Sequence, residues 1–127
     1  MGITFESFLT SEKAPAEIEV ISSAIVVNNG DPVVISKEPK PGKKSVLWFC
    51  QDTSNIAAWF IFFKNGNSPF KNKHFGKPKG EVLDSGKVRP DVTPDPGQTS
   101  KTFSYTVVVI LDNGSVLYVD PDVVVDM

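Results

Sequence analysis

Apolar residues in this chain occur in short runs of about four to eight, separated by clusters of Gly, Pro, Asn and Asp. Val, Ile, Phe and Trp, which favour strands, dominate these runs. No window of useful length has the spacing of apolar residues that is typical of an amphipathic helix. This pattern of strands and turns predicts an all-β fold, either a sandwich or a barrel.

The predicted fold is a Greek-key β-sandwich of about seven to nine strands. The clearest signal is Asp112-Asn113-Gly114 between two apolar runs, because Asn-Gly at that position is typical of a tight β-hairpin. The segment 5–13 is compatible with one helical turn or a strand, and 68–80 is predicted to be a long basic loop. Strands are predicted at 17–21, 24–27, 33–36, 45–50, 56–63, 81–88, 101–111, 115–118 and 123–125.

The length of 127 residues predicts a single domain over residues 1–127, large enough to fold without a metal or a disulfide. A formal net charge of -2 argues against nucleic acid and anionic membranes as partners. No apolar stretch approaches the length of a transmembrane helix. Residues 1–20 contain no basic segment followed by an apolar run, and Cys50 is the only cysteine. These features favour a cytoplasmic protein, or a periplasmic one whose signal peptide has been removed.

The C-terminal third resembles the last strands of cupredoxin-like domains. The resemblance rests on Phe103-Ser104-Tyr105-Thr106-Val107-Val108-Val109, the following hairpin, and Asp120-Pro121-Asp122-Val123-Val124-Val125. It extends to the strand around Trp59–Phe63 and covers roughly the second half of the chain. Small uncharacterised bacterial sandwich proteins with similar endings also look similar. The resemblance implies a cupredoxin-like or immunoglobulin-like sandwich.

The copper site of that family does not carry over to this chain. Copper cupredoxins bind the metal through two His and one Cys, usually with a Met, and three of these ligands lie in the loop before the last strand. The corresponding loop here, 111–115, has none of them, and His74 is the only histidine. The resemblance therefore implies a member without copper, and no cofactor is predicted.

Few residues suggest catalysis. A nucleophilic triad needs a His base, and His74 lies between Lys73 and Phe75 in the predicted basic loop, where a solvated side chain is expected. Cys50 ends an apolar strand and is expected to be a buried structural thiol. The carboxylates suitable for a metal or for acid–base chemistry are in loops: Asp91, Asp95, Asp112, Asp120 and Asp122.

A basic stretch extends over residues 64–80. It contains no acidic residue and has two phenylalanines, Phe70 and Phe75, among its lysines. Lysines with interleaved aromatic rings are typical of single-stranded nucleic-acid sites, but the acidic chain and the lack of a nucleic-acid motif favour a solvated loop. Its lysines are Lys64, Lys71, Lys73, Lys77 and Lys79.

Several predicted strands are apolar on both faces, whereas a sandwich strand normally exposes one polar face to water. In 56–63, Ala57, Trp59, Ile61 and Phe63 share one face and Ala58, Phe60 and Phe62 share the other. The second apolar face needs a cover, which is an N-terminal segment or long loop, a second copy of the chain, or another protein or apolar ligand. The candidate interface residues are Phe60, Phe62, Val108 and Ile110.

These observations predict a non-enzymatic β-sandwich module that acts through protein–protein contacts, with self-association as the first hypothesis. The alternative is a module that binds carbohydrate or another small molecule, using Trp48 or Trp59 as a stacking platform, although both are expected in the core. A third hypothesis is a metal-dependent enzyme that uses Asp91, Asp95, Asp120 and Asp122.

Overall fold

A computed structural model describes residues 12–78 and 82–127, with only the backbone of residues 77 and 78. This part of the chain is all-β, with two short 3₁₀ turns at Asn28–Gly30 and Lys64–Gly66. The strands are β1 (Lys13–Ile21), β2 (Ala24–Val27), β3 (Val33–Ser36), β4 (Ser45–Phe49), β5 (Ile56–Phe63), β6 (His74–Pro78), β7 (Leu83–Asp84), β8 (Ser100–Leu111), β9 (Val116–Val119) and β10 (Asp122–Asp126).

The strands form two mixed sheets, consistent with the predicted β-sandwich. The smaller sheet has the order β2-β1-β4-β7. Its strand β1 pairs antiparallel with β2 and parallel with β4, where Ala14 is opposite Val46 and Ala16 is opposite Trp48. The larger sheet has the order β3-β10-β8-β5-β6, with β9 also paired to β8.

Strand β8 organises the larger sheet. One of its edges pairs antiparallel with β5, and the other pairs first with β10 and then with β9. Strands β9 and β10 therefore form one line along β8, interrupted at Pro121, which has no N–H to donate. The amide of Tyr105 donates to the carbonyl of Pro121 at 3.0 Å, so the ladder continues through the break.

The hairpin between β8 and β9 confirms the prediction made from Asp112-Asn113-Gly114. Gly114 has a φ of 88°, which a residue with a Cβ rarely adopts. The amide of Leu111 donates to the carbonyl of Ser115 at 2.9 Å, and the Asn113 side chain accepts from the amide of Ser115 at 2.9 Å. The hairpin places β9 beside the second half of β8.

The core lies between the two sheets, with Trp48 of β4 at its centre. Trp48 Nε1 donates to Tyr105 Oη at 3.1 Å, and this hydrogen bond links the smaller sheet to the larger one. The Trp48 ring also lies 5.3 Å from the ring of Phe75 and 6.3 Å from that of Phe70, measured between centroids. Trp59, Ile61 and Val107 are fully buried in the same core.

The structure corrects several details of the predicted strands, and the strand predicted at 17–21 begins earlier, at Lys13. Residues His74–Pro78 form the edge strand β6 instead of a loop, and of the described part of the predicted strand 81–88, residues 82–88, only Leu83–Asp84 is a strand. A register shift between Ile56 and Ala58 points the Ile56 side chain into the core and leaves Ala57 exposed. Ala57 was predicted to share a face with Trp59, Ile61 and Phe63, and for Ala57 this prediction is wrong. The prediction for 5–13 falls mainly outside the described residues, although Lys13 begins β1.

Candidate functional site

An apolar surface covers part of the larger sheet on the side that faces away from the core. Cross-strand pairing forms two rows, one with Phe60, Val108 and Tyr118 and the other with Ala58, Ile110 and Val116. Phe62 lies beside Phe60 on the same face of β5. We call this surface the outer patch, and its residues are Ala58, Phe60, Phe62, Val108, Ile110, Val116 and Tyr118.

The structure brings the four candidate interface residues together. Phe62 is 45% exposed, whereas Phe60, Val108 and Ile110 are half-buried by their neighbours in the sheet. The two most exposed members of the outer patch, Tyr118 at 71% and Val116 at 59%, were not identified from the sequence. The alternation of side chains in β9 could have identified them. Leu117 and Val119 pack against the core, so Val116 and Tyr118 between them point outward.

Gly76 determines how the aromatic rings of the outer patch lie. It is opposite Phe60 across the β5–β6 pair, and a Cβ on Gly76 would lie 2.6 Å from Cδ1 of Phe60. Because Gly76 has no side chain, the Phe60 ring can lie against the backbone of β6. The rings of Phe60 and Phe62 are 6.3 Å apart and inclined by 28°. The outer patch therefore includes two nearly parallel aromatic rings.

A polar border ends the outer patch on one side. Thr106 Oγ1 donates to Asp120 Oδ1 at 2.7 Å, and Ser104 Oγ donates to Asp122 Oδ1 at 2.8 Å. Lys64 Nζ lies 3.6 Å from Asp120 Oδ2. Both carboxylates thus have hydrogen-bond or ionic partners, and this border is polar and partly neutralised.

The lysines predicted for one basic loop are divided between several environments. Lys64 lies in a 3₁₀ turn and pairs with Asp120, and Lys71 and Lys73 are exposed before β6. Lys77 is in β6, opposite Trp59 in the backbone pairing, so its assignment to a loop is wrong. Lys79 lies outside the described residues. The part that is described does not form a continuous basic loop.

Cys50 and His74 are not placed as parts of one reactive site. Cys50 follows β4 in the smaller sheet, and its thiol donates to the carbonyl of Asp52 at 3.3 Å. Burial raises the pKa of the Cys50 thiol to about 11, with further contributions from the charges of Asp52 and Glu17. His74 is exposed in β6 of the larger sheet, opposite Phe62. The raised pKa keeps the thiol protonated at neutral pH.

The loop aspartates have separate partners. Asp91 pairs with Arg89 at 2.6 Å, and Asp95 lies 3.6 Å from Lys101, whereas Asp120 and Asp122 belong to the polar border. Within residues 12–78 and 82–127, no three His, Cys, Asp or Glu side chains are grouped so that they could hold a metal ion. Among the described residues, the aspartates named in the metal-dependent hypothesis therefore do not come together as a metal site.

Trp48 and Trp59 are fully buried, with 0% of their surface exposed. The expectation that both tryptophans lie in the core is confirmed, and neither ring can serve as the stacking platform of the alternative hypothesis. Among the described residues, the large aromatic side chains that are exposed are Tyr118 and Phe62 of the outer patch. The cause is that each tryptophan alternates toward the core face of its strand.

A cleft of about 270 Å³ lies where the β2–β3 connection meets the break between β9 and β10. Asp31, Asp120 and Asp122 line it together with apolar residues such as Ile25 and Pro32. Asp120 and Asp122 already accept hydrogen bonds from Thr106 and Ser104. Two of the three carboxylates in the cleft therefore already have hydrogen-bond partners within the chain. The cleft is a weaker candidate for a binding site than the outer patch.

Comparisons with known protein families, with characterised proteins and with solved structures gave no significant match. Among the residues that the structure describes, no helix has the length and apolar character needed to cross a membrane. The functional interpretation therefore rests on the outer patch and its surroundings.

Proposed function

We propose that this protein is a non-enzymatic module that acts through protein–protein contacts and that two copies associate through the outer patch. The observation that carries the proposal is the concentration of exposed apolar side chains. Among the described residues, the large hydrophobic side chains that are exposed are Ile21, Val34, Phe62, Val116 and Tyr118. Three of these five belong to one patch, and adjacent exposed apolar residues are typical of an interaction surface.

A second copy suits this surface because the outer patch lies on a sheet face. One sheet face packs well on another, at a separation of about 10 Å, whereas a helix or a single peptide strand normally requires a groove or a free edge. A twofold dimer brings the same patch from both copies together. The formal net charge of -2 per chain adds little repulsion between copies.

The size of the outer patch predicts a weak dimer. Its three strands are about 4.8 Å apart and it covers about five residues of β8, which corresponds to a flat footprint of about 250 Å². A stable interface of standard size buries about 800 Å² per partner. The polar border formed by Thr106, Asp120 and Lys64 must therefore supply the rim around an apolar centre. We expect a dissociation constant in the micromolar range or weaker.

The proposal is tested by replacing exposed residues of the outer patch with aspartate. Phe62→Asp and Tyr118→Asp each bury a charge at the expected interface, so the dimer should weaken at least about tenfold while the subunit stays folded. The matched control is Ile21→Asp, because Ile21 is an exposed hydrophobic residue of the smaller sheet. Light scattering after size-exclusion chromatography gives the mass, and circular dichroism checks the fold.

Loss of dimer in both patch variants, with the Ile21→Asp protein unchanged, would support the proposal. If all three variants dimerise as well as the unmodified chain, the outer patch is not the contact surface. If the unmodified protein is a monomer at every concentration, self-association is wrong.

A carbohydrate ligand is the second candidate for the same surface. It is favoured by the nearly parallel rings of Phe60 and Phe62 and by the carboxylate of Asp120, which bonds Thr106 opposite Phe62, because sugars stack on aromatic rings and donate hydroxyl hydrogen bonds. Calorimetric titration with soluble glucan oligosaccharides tests it. If the monomer binds an oligosaccharide and the Phe62→Asp variant does not, carbohydrate binding becomes the favoured function in place of self-association.

The finer fold assignment also remains a proposal. Two facing mixed sheets, with β1 parallel to β4 and β3 parallel to β10, support a Greek-key sandwich of the cupredoxin or immunoglobulin type. The expected lack of a copper site is checked by titration with Cu(II). An intense thiolate-to-copper absorption band that disappears in Cys50→Ser would contradict it.

A further inference from the structure

A third row of side chains lies beside the two apolar rows of the outer patch. His74 of β6 is opposite Phe62 of β5, and Phe62 is opposite Thr106 of β8. Thr106 Oγ1 donates to Asp120 Oδ1, which places Asp120 at the far end of the same row. We call these four residues the polar row, because an imidazole stands at one end and a carboxylate at the other.

Both ends of the polar row are open to another molecule. His74 is exposed, and it points away from the core because its neighbour Phe75 is buried and side chains alternate along a strand. The Asp120 side chain is 45% exposed. A carboxylate accepts up to about four hydrogen bonds, and among the described residues Thr106 and Lys64 supply the contacts to Asp120. The Asp120 carboxylate therefore has room for a further N–H donor.

The polar row makes the two ways of forming a twofold dimer unequal. Two separate sheets that pack face to face in the aligned manner keep their strands within about 30° of each other. The twofold axis, which lies between the sheets, therefore runs either roughly along the strands or roughly across them. The two arrangements bring different rows of the two copies together.

With the axis along the strands and between β5 and β8, each row faces the same row of the other copy in reverse order. His74 then faces Asp120 of the other copy, so a donor meets an acceptor. Ala58 faces Ile110 of the other copy, which places a small side chain against a large one. The apolar rows face only apolar rows.

With the axis across the strands and through the row of Phe60, the two rows on either side exchange places. Asp120 then faces Val116 of the other copy, and Thr106 faces Ile110. Because the side chains of Val116 and Ile110 have no hydrogen-bond donor, the carboxylate loses water and gains no partner. Removing a charged group from water in this way is unfavourable. The polar row therefore favours the axis along the strands.

We propose that the two copies pack with the twofold axis along the strands and that His74 of each copy donates a hydrogen bond to Asp120 of the other. This inference rests on the proposed self-association and adds the orientation of the copies to it. An imidazole has an N–H in either protonation state, so the contact requires no particular charge on His74. A polar contact at the rim of an apolar interface selects orientation more than it adds affinity. His74 and Asp120 therefore determine how the copies align, and the apolar rows hold them together.

The test is chemical cross-linking between single-cysteine variants in the Cys50→Ser background. Equal amounts of His74→Cys and Asp120→Cys are mixed and treated with a bifunctional maleimide that spans the distance of about 10 Å between packed sheets. The matched mixture is Val116→Cys with Asp120→Cys, the pair that meets when the axis lies across the strands. Ile21→Cys with Asp120→Cys measures cross-linking by random collision, because Ile21 belongs to the smaller sheet.

One variant of each pair is isotopically labelled, so the mass identifies the mixed product. We expect the mixture with His74→Cys to give at least about tenfold more mixed product than the mixture with Val116→Cys. An excess from Val116→Cys would overturn the proposed orientation. A dimer whose yields in both mixtures stay at the level of the Ile21→Cys mixture would also overturn it.

Isotope-filtered nuclear Overhauser spectra of the unmodified chain supply a second measurement that needs no substitution. In a mixture of labelled and unlabelled chains, the Ala58 methyl group should contact the Ile110 methyl groups of the other copy. Contact of Ala58 with the Phe62 ring of the other copy would instead show the axis across the strands. A dimer with those contacts rejects the orientation alone, whereas a monomer at every concentration rejects the proposed function.

Discussion

Trp48 and Trp59 are equally buried but differ in the partner of the indole N–H. Trp48 Nε1 donates to Tyr105 Oη at 3.1 Å. Among the described residues, Trp59 Nε1 has no hydrogen-bond partner although it is inaccessible to water. A buried polar group without a partner costs about 1–3 kcal/mol. The two tryptophans therefore contribute differently to stability although their exposure is the same.

This difference predicts the relative stability of two matched variants. Trp48→Phe removes a donor and leaves the Tyr105 hydroxyl without that partner, whereas Trp59→Phe removes an N–H that was not satisfied. Both changes leave a small cavity of similar size. We expect Trp48→Phe to lower the free energy of unfolding by about 1–2 kcal/mol more than Trp59→Phe. Urea denaturation monitored by circular dichroism measures both, and equal losses would contradict this account of the core.

At the scale of the element, the edge strand β6 shapes the outer patch through Gly76. Gly76→Ala would place a Cβ within 2.6 Å of the Phe60 ring, so the ring must move or β6 must shift. We expect a loss of about 1–3 kcal/mol in the free energy of unfolding, typical of overpacking. In the Phe60→Leu background, the same Gly76→Ala change should cost clearly less, since a leucine is smaller and more flexible. A double-mutant cycle by chemical denaturation tests this, and additive effects would show that the contact is not responsible.

Strands with strong signals were predicted well from the sequence, and those with weak signals were not. The bounds of β5 and the hairpin after β8 were correct because a long apolar run and Asn-Gly are strong local signals. Strand β6 was missed because Gly76 and Pro78 usually mark loops. A proline is tolerated at a sheet edge, and only the pairing with β5 reveals that β6 is such an edge.

The candidate site was predictable only in part for a similar reason. The apolar alternation showed that Phe60, Phe62, Val108 and Ile110 point away from the core side of their strands. It could not show which outer faces are covered, because Leu47 and Phe49 have the same pattern and are buried. Tyr118 and Val116 join the outer patch because β9 pairs with β8, which places them opposite Val108 and Ile110. They are far from β5 in the sequence, so local alternation alone did not connect them with Phe60 and Phe62.

At the scale of the whole molecule, the contact between the sheets contributes to the pH dependence of stability through Tyr105. Burial raises the pKa of Tyr105 well above its usual value, so the folded chain keeps a proton that the unfolded chain releases above about pH 10. The stabilising contribution is thus complete below that pH and is lost as the pH rises. We expect the free energy of unfolding to decrease more steeply above about pH 10 in the unmodified chain than in Tyr105→Phe.

Cys50 must be controlled for in this measurement. Its raised pKa of about 11, against an ordinary value of 9.0, acts in the same direction and over an overlapping pH range. The comparison is therefore made in the Cys50→Ser background, by urea denaturation at a series of alkaline pH values. An identical slope with and without the Tyr105 hydroxyl would contradict the burial of that hydroxyl between the two sheets.

Each sheet of the molecule turns one apolar face toward the core, and Leu47 and Phe49 are buried on the outer side of the smaller sheet, whereas Tyr118, Val116 and Phe62 of the outer patch remain exposed. Self-association through that patch is the central claim, and sedimentation equilibrium of the unmodified protein from micromolar to about millimolar concentration tests it most directly. We predict a reversible monomer–dimer equilibrium that salt does not weaken, because the contact is mainly apolar. A mass that stays at one subunit over the whole range would contradict the claim.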